Sequence, residues 1–335
     1  MSLIDPTRDR APVFIVGSAR SGTTLLYHLL LSSGVFANYR GEPAVFDLIR
    51  PRFGDLAHRR NREALMNAWL RSAMYRISGL DAQKIHNQVL NECDSAGVFL
   101  RLVMSEVARV QGKERWAVWG PDNLLFMEQI KKELPDALFI HMIRDGRDVA
   151  VSMTRERWIE TLPWDRTQNL VVAGLHWQWK VARGIQSAKT LSPDYLEIHF
   201  EELLTHRRNI MTKISDFLGQ ELDFDQMVSQ PLGSVLDPNT SFQEERSDGT
   251  FQPIERWRRV LSAAQLEALE SAIGALLKDL GYEVVGERKN GLDFRHQIMQ
   301  QLYPRYFDFK QWLKVNTILG NLVSIERMHL SDSPH

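Results

Sequence analysis

A mainly parallel α/β sheet flanked by helices, carrying a P-loop-like strand–loop–helix for phosphate, is the fold that this 335-residue chain predicts. Three observations carry the prediction. Short apolar runs of strand length alternate with longer helical segments, the order that builds parallel sheets covered on both faces. One such run, Phe14-Ile15-Val16-Gly17, passes through a glycine-bounded loop into an apolar helix. Another, residues 138–143, ends at Arg144-Asp145-Gly146 and again leads into a helix. Ligands of such sheets bind beyond the carboxyl ends of the strands, so the two turns are expected to face one ligand.

The elements follow in order. Residues 13–16 read as a buried strand, and 22–33 as a helix with Leu25, Leu26, Leu29 and Leu30 on one side. The stretch 56–112 is largely helical, with breaks at Gly79 and Asp94-Ser95. A short strand at 116–119 is ended by Gly120-Pro121, and a clearer one spans 138–143, followed by a helix over 147–158. A tryptophan-rich helix covers 169–188, then a strand over 195–200 and a helix over 201–218 stopped by Gly219. Turn residues make 231–253 a loop; Ser262 caps a helix over 262–280 that Gly281 closes. This divides the chain into a tail (1–11), one α/β domain (12–283) and a C-terminal helical extension (284–335).

Composition narrows the function classes. A net charge of −1 gives no global field for nucleic acid or an anionic membrane, so any anionic ligand must be held by local arginines. The single cysteine, Cys93, cannot form an internal disulfide and reads as buried filler. No apolar run approaches the roughly 18 residues of a membrane span, and the first ten residues lack a signal-peptide core, so a cytoplasmic location is expected. No metal-binding residue set stands out.

The loop Ser18-Ala19-Arg20-Ser21-Gly22-Thr23-Thr24 carries the chemistry. Gly17 and Gly22 keep P-loop spacing, and a strand–loop–helix aims backbone N–H groups and a positive helix end at an anion. The lysine of an NTPase is missing, since Thr23 stands in its place, and a cation sits inside the loop at Arg20 instead.

This variant resembles the first signature of sulfotransferases that use 3′-phosphoadenosine 5′-phosphosulfate (PAPS), through Arg20-Ser21-Gly22-Thr23. The run from Phe139 to Ser152 resembles that family's 3′-phosphate segment, with Arg144 closing the strand and Ser152 eight residues later. A guanidinium supplies a forked donor and a hydroxyl a further one, as a phosphate requires. Weaker likenesses are His199-Phe200-Glu201-Glu202-Leu203, where Phe200 replaces a usual tyrosine, and Asn239-Thr240-Ser241-Phe242 with Arg256-Trp257-Arg258, which resemble nucleotide-closing segments. Trp119 stands where a Lys-Thr-Pro element has its lysine, and Leu25 where an adenine-stacking aromatic is common. The resemblance extends over residues 12–282. It implies PAPS as sulfuryl donor, with 18–24, Arg144, Ser152, Phe242, Arg256 and Trp257 binding the nucleotide and no metal required.

Sulfuryl transfer builds negative charge on the departing phosphate, which Arg20 and the N–H groups of 21–24 are placed to stabilise. A base must take the acceptor's proton. Glu42, in Arg40-Gly41-Glu42-Pro43, is the candidate, since tyrosylprotein-type members place a glutamate after glycine there; His141 and Asp122 are the rivals. His141 lies in an apolar strand, which favours a core role. The acceptor, a hydroxyl or amine of a small molecule, sugar, lipid or peptide, is not legible. Trp158, Trp164, Trp177 and Trp179 are open to a pocket or to core packing. The aromatics Phe294, Tyr303, Tyr306, Phe307, Phe309 and Trp312 leave the extension open as lid, oligomer contact, membrane surface or packed helix. A P-loop kinase and a non-catalytic nucleotide-binding homologue are the other classes. Metal-independent turnover separates the first; a broad acceptor assay separates the second.

Overall fold

β1 (Val13–Gly17) is buried along its whole length, as its unbroken apolar sequence requires of a strand covered on both faces. Its alternate residues feed two different cores. The structure is a computed structural model and describes residues 8–159, 161–162, 169–229, 249–285, 294–317 and 320. Five strands form one parallel sheet in the order β2-β3-β1-β4-β5. The others are β2 (Phe36–Ala37), β3 (Arg115–Trp119), β4 (Leu138–Ile143) and β5 (Tyr195–His199). Register pairs Ile15 with Trp119 on one side and with Ile140 on the other. All five strands therefore end on one edge of the sheet.

Helices cover both faces. In chain order they are α1 (Thr23–Ser32), α2 (Arg50–Phe53), α3 (Arg59–Trp69), α4 (Ala73–Ser78), α5 (Ala82–Glu92) and α6 (Ala96–Val110). Next come α7 (Met127–Glu133), α8 (Gly146–Arg155), α9 (Asn169–Leu191), α10 (Phe200–Thr205), α11 (Arg207–Leu218) and α12 (Phe224–Ser229). The last are α13 (Trp257–Val260), α14 (Ala263–Asp279) and α15 (Phe294–Asn316). Phe14, Val16 and Phe139 join the core under α3 to α6, whereas Val13, Ile15, Leu138, Ile140 and Met142 pack with α1 and α11. This alternation is the period of 2 of a strand expressed on two buried faces. A third core joins α8, α9, α14 and α15, with Trp177, Leu269, Tyr303 and Phe307 at its centre.

The main sequence expectations hold, with local corrections. The helix expected over 201–218 is two helices, because His206 leaves helical dihedrals at φ −123 and ψ 40. A π-helical turn (Val45–Ile49) and a 3₁₀ turn (Asn123–Phe126) were not read, and neither was β2, whose two residues are too few for a periodic signal. Ser262 caps α14 in a full capping box with Gln265. Most of the loop expected at 231–253, and Trp164, lie outside the described residues.

Candidate functional site

The carboxyl edge of the sheet gathers the residues that matter. Beyond β1 the loop turns tightly, with the Ser21 N–H donating to the Ser18 carbonyl at 3.2 Å. Arg20 takes a left-handed φ of +68, a conformation that costs a non-glycine residue about 1 kcal/mol or more. Gly22 then opens α1 at φ +92, and a Cβ there would lie 2.4 Å from Cδ2 of Phe200. Only glycine satisfies both demands. The hydroxyls of Ser18 and Ser21 are buried and have no hydrogen-bond partner among the described residues. With the positive end of α1 beside them, they are a set of unused donors, which suits an anion.

Arg20 joins the two sequence signatures. Its Nε donates to Ser152 Oγ on α8 at 2.9 Å, and its carbonyl accepts from Arg144 Nη1 at 3.0 Å. Its guanidinium sits 5.1 Å from the Trp158 ring centre. Burial, with Arg144 adding to it against Glu156, lowers its pKa to about 10, so it stays charged at neutral pH. Arg144 is buried at the end of β4. It gives Nη2 to the Pro253 carbonyl at 2.6 Å and lies 4.4 Å from the Phe200 ring centre, while its Nε has no partner among the described residues. Phe200 therefore fills the space between Gly22 and Arg144. Glu201, which sequence reasoning did not single out, ties the ends of β4 and β5 together: it accepts from the Asp145 N–H and from the Tyr282 hydroxyl, each at 3.0 Å.

A buried ionic layer holds this region. Arg147 donates to Asp145 at 2.7 Å and to Glu270 of α14 at 2.5 Å, and its guanidinium lies 3.8 Å from the Trp257 ring centre. The Trp257 N–H donates to Asp148 Oδ1 at 2.9 Å; its buried indole N–H has no described partner. Arg256 is buried with its guanidinium 5.0 Å from the Phe251 ring centre. Phe242 lies outside the described residues.

At the other end of the edge lies a cluster of three carboxylates and two lysines. Lys180 of α9 donates to Asp122 Oδ1 at 2.6 Å and to the Pro121 carbonyl at 3.0 Å. Lys314 of α15 donates to Asp47 at 2.9 Å and to Asp122 Oδ2 at 3.2 Å. Glu42 is partly buried beside Gly120, where a Cβ would come 3.7 Å from its Oε2. Burial, then Asp122 and Asp47, push the Glu42 carboxyl up to about 8 against the pull of both lysines. Lys180 and Lys314 hold Asp122 well below the usual range, although burial opposes them. Burial raises Asp47 despite Lys314. At neutral pH Glu42 therefore holds its proton.

A cavity of about 460 Å³ opens against the Asp122, Lys180 and Lys314 side of the cluster. Trp158, Trp179, Tyr306 and Phe307 give it aromatic walls, and Asp122, Lys180 and Lys314 reach into it. Trp158 connects it to Arg20. His176 also lines it, with a buried Nδ1 that has no described partner; burial and Lys180 push its pKa down to about 3.

Of the residues singled out from sequence, Arg20, Ser152 and Arg144 meet, and Asp122 and Glu42 share one charged cluster. His141 is a core residue: its Nδ1 lies 2.5 Å from the Tyr195 hydroxyl, and Gly184 passes over its ring. Trp177 packs under Gly146 and donates to the Arg144 carbonyl at 3.1 Å, whereas Trp158 and Trp179 line the cavity. The extension supplies a cavity wall through α15. His176, Lys180 and Lys314 went unread. A helical face through 176, 179 and 180 was the available signal, but nothing in the sequence points Lys314 at residue 122.

A family model described as "Sulfotransferase family" matches residues 12–226. The sulfotransferase domain of the Synechococcus PCC 7002 olefin synthase has a similar structure, with a TM-score of 0.54 and 20% identity over 82% of this chain and 96% of that one. The sulfotransferase domain from the curacin biosynthetic pathway gives a TM-score of 0.53 and 16% identity over 82% of this chain and 99% of that one. At such identities the structural likeness speaks for the fold.

Proposed function

The chain belongs to the sulfotransferase family, and from that premise we propose that it transfers a sulfuryl group from PAPS to a hydroxyl or amine of an acceptor seated in the 460 Å³ cavity. The observation that carries this reading is the convergence of Arg20, Ser152 and Arg144 on a loop whose buried serine hydroxyls have no described partner. These groups fit an anionic nucleotide: the Arg144 Nε and the Ser18 and Ser21 hydroxyls are donors in want of an acceptor. When bound, PAPS supplies an activated sulfuryl group on a phosphate that leaves without needing a proton.

The chain's own residues divide the remaining work. Arg20 and the N–H groups of Ser21 to Thr24 stabilise charge as it builds on the leaving phosphate oxygen. Arg144 and Ser152 hold the 3′-phosphate. Ser152 accepts from Arg20, which leaves its own hydroxyl proton free to donate. Arg256 and Trp257 close on the nucleotide. Glu42 takes the acceptor's proton, since a carboxyl near 8 is a stronger base than an ordinary glutamate. Asp122 is a weak base because two lysines hold it ionised, and His176, held near 3, retains a proton poorly. Both are suited to orienting the acceptor.

The test is calorimetric titration with 3′-phosphoadenosine 5′-phosphate (PAP), AMP and ATP, without metal. We expect binding that depends on the 3′-phosphate and is lost in Arg144→Ala. Preference for ATP would overturn the reading in favour of an NTPase or kinase.

A further inference from the structure

We propose that the cavity under α15 takes acceptors that carry an anionic group besides the reacting hydroxyl, and that Lys310 of α15 is the residue that selects for it. The inference rests on the cavity being the acceptor's seat. Its charged lining is unbalanced, with Lys180, Lys310 and Lys314 against Asp122 alone among the described residues. Two of these lysines are already committed, Lys180 to Asp122 and Lys314 to Asp122 and Asp47. Lys310 is exposed at the helix surface, lines the cavity and forms no ion pair with a described residue.

Position reinforces the argument. Lys310 stands one turn before Lys314 on α15, and His176 one turn before Lys180 on α9, about 5–6 Å along each helix. Both therefore lie a helical turn from the cluster that contains Glu42. The two helices meet there, with the His176 and Phe307 ring centres 5.1 Å apart at 86°. His176 is neutral and its Nδ1 has no partner among the described residues, so its N–H can support an anion held by Lys310. Burial depresses the His176 pKa, and Lys180 and Lys310 add to it with Asp122 opposing, so these lysines act on the same ring. The aromatic walls accommodate the apolar body of the same molecule. A carboxylate, sulfonate or phosphate on a flat or apolar frame satisfies all of these features. A neutral alcohol leaves Lys310 unused.

The test uses two fluorescent probes with the same rings, anionic 1-anilinonaphthalene-8-sulfonate and neutral N-phenyl-1-naphthylamine, titrated into the full chain with and without PAP. The wild type should bind the sulfonate about tenfold more tightly than the neutral probe, the size of one charge pair at a partly solvated site. Lys310→Glu should weaken sulfonate binding at least about tenfold and leave the neutral probe within twofold, while Lys310→Arg keeps the preference. Far-UV circular dichroism checks that these surface variants fold. Equal affinity for the two probes, or a preference indifferent to Lys310→Glu, overturns the proposal. Failure of PAP to bind would count against the donor reading and leave this comparison intact.

Discussion

Replacing Glu42 by glutamine keeps the shape of the side chain and removes its titratable carboxyl, so the proposed base can be tested in two independent ways. The Glu42 carboxyl is raised from 4.5 to about 8. The unfolded chain releases this proton above pH 4.5, while the folded chain keeps it until about pH 8. The wild type therefore loses stability across that window and no further above it, at up to about 1.4 kcal/mol per pH unit. The full window gives roughly 5 kcal/mol, but the side chain is only partly buried and water screens part of it, so we expect about 2–3 kcal/mol. Glu42→Gln should match the wild type near pH 4.5 and exceed it by that amount at pH 9 in urea unfolding. Turnover should move the opposite way. With a base near 8, about one tenth of the wild type is competent at pH 7, so its rate should rise about tenfold toward alkaline pH. The variant should be about 10²–10⁴ slower, without that rise, and should bind PAP normally. A variant that keeps the alkaline rise would refute Glu42 as the base. One whose stability follows the wild type at every pH would refute the raised pKa itself.

Three further outcomes follow from the geometry. Arg20→Ala should lower turnover by about 10²–10³ while leaving the thermal midpoint within a few degrees, and near-normal turnover would remove Arg20 from the mechanism. Gly22→Ala forces a Cβ to 2.4 Å from the Phe200 ring at a φ of +92; we expect loss of PAP binding in calorimetry, partly restored by adding Phe200→Ala. Arg147→Met removes the guanidinium from between the buried Asp145 and Glu270 carboxylates and should cost about 3–5 kcal/mol in urea unfolding. A loss below about 1 kcal/mol would show that the ionic layer contributes little.

The proposed donor half of the site could be read from the sequence because it is local. Gly17 to Thr24 is one contiguous strand–loop–helix, and its glycines, its arginine and the apolar run on each side state the backbone path that an anion needs. Arg144 and Ser152 are similar, since a strand end and the helix after it keep a set spacing. Glu42 could be singled out through the resemblance, as a glutamate after glycine, but not its basicity, which depends on Asp47, Asp122, Lys180 and Lys314. Those partners come from four separate segments; Lys180 is 58 residues from Asp122 and Lys314 is 192. His141 is the opposite case: its apolar strand already favoured a core role, and the packing of α9 through Gly184 and of Tyr195 against it gives that role its partners.

By itself the sequence determined the parallel α/β layering, the anion loop and its arginine, and the resemblance to PAPS-using sulfotransferases. The layering and the loop rest on short-range periodicity and turn chemistry, which a chain carries wherever it folds, and the resemblance rests on the contiguous motifs at 20–23 and 139–152. The tertiary structure alone decided that Phe200 occupies the space over Gly22, that Arg20 is braced by Ser152 and Arg144, and that α15 closes the cavity with Lys314 set between Asp47 and Asp122. The physical reason is that charge and burial act through space. A carboxyl's pKa and a cavity's preference are set by neighbours within a few ångströms, and the chain brings those together from segments whose separation in sequence carries no record of their contact.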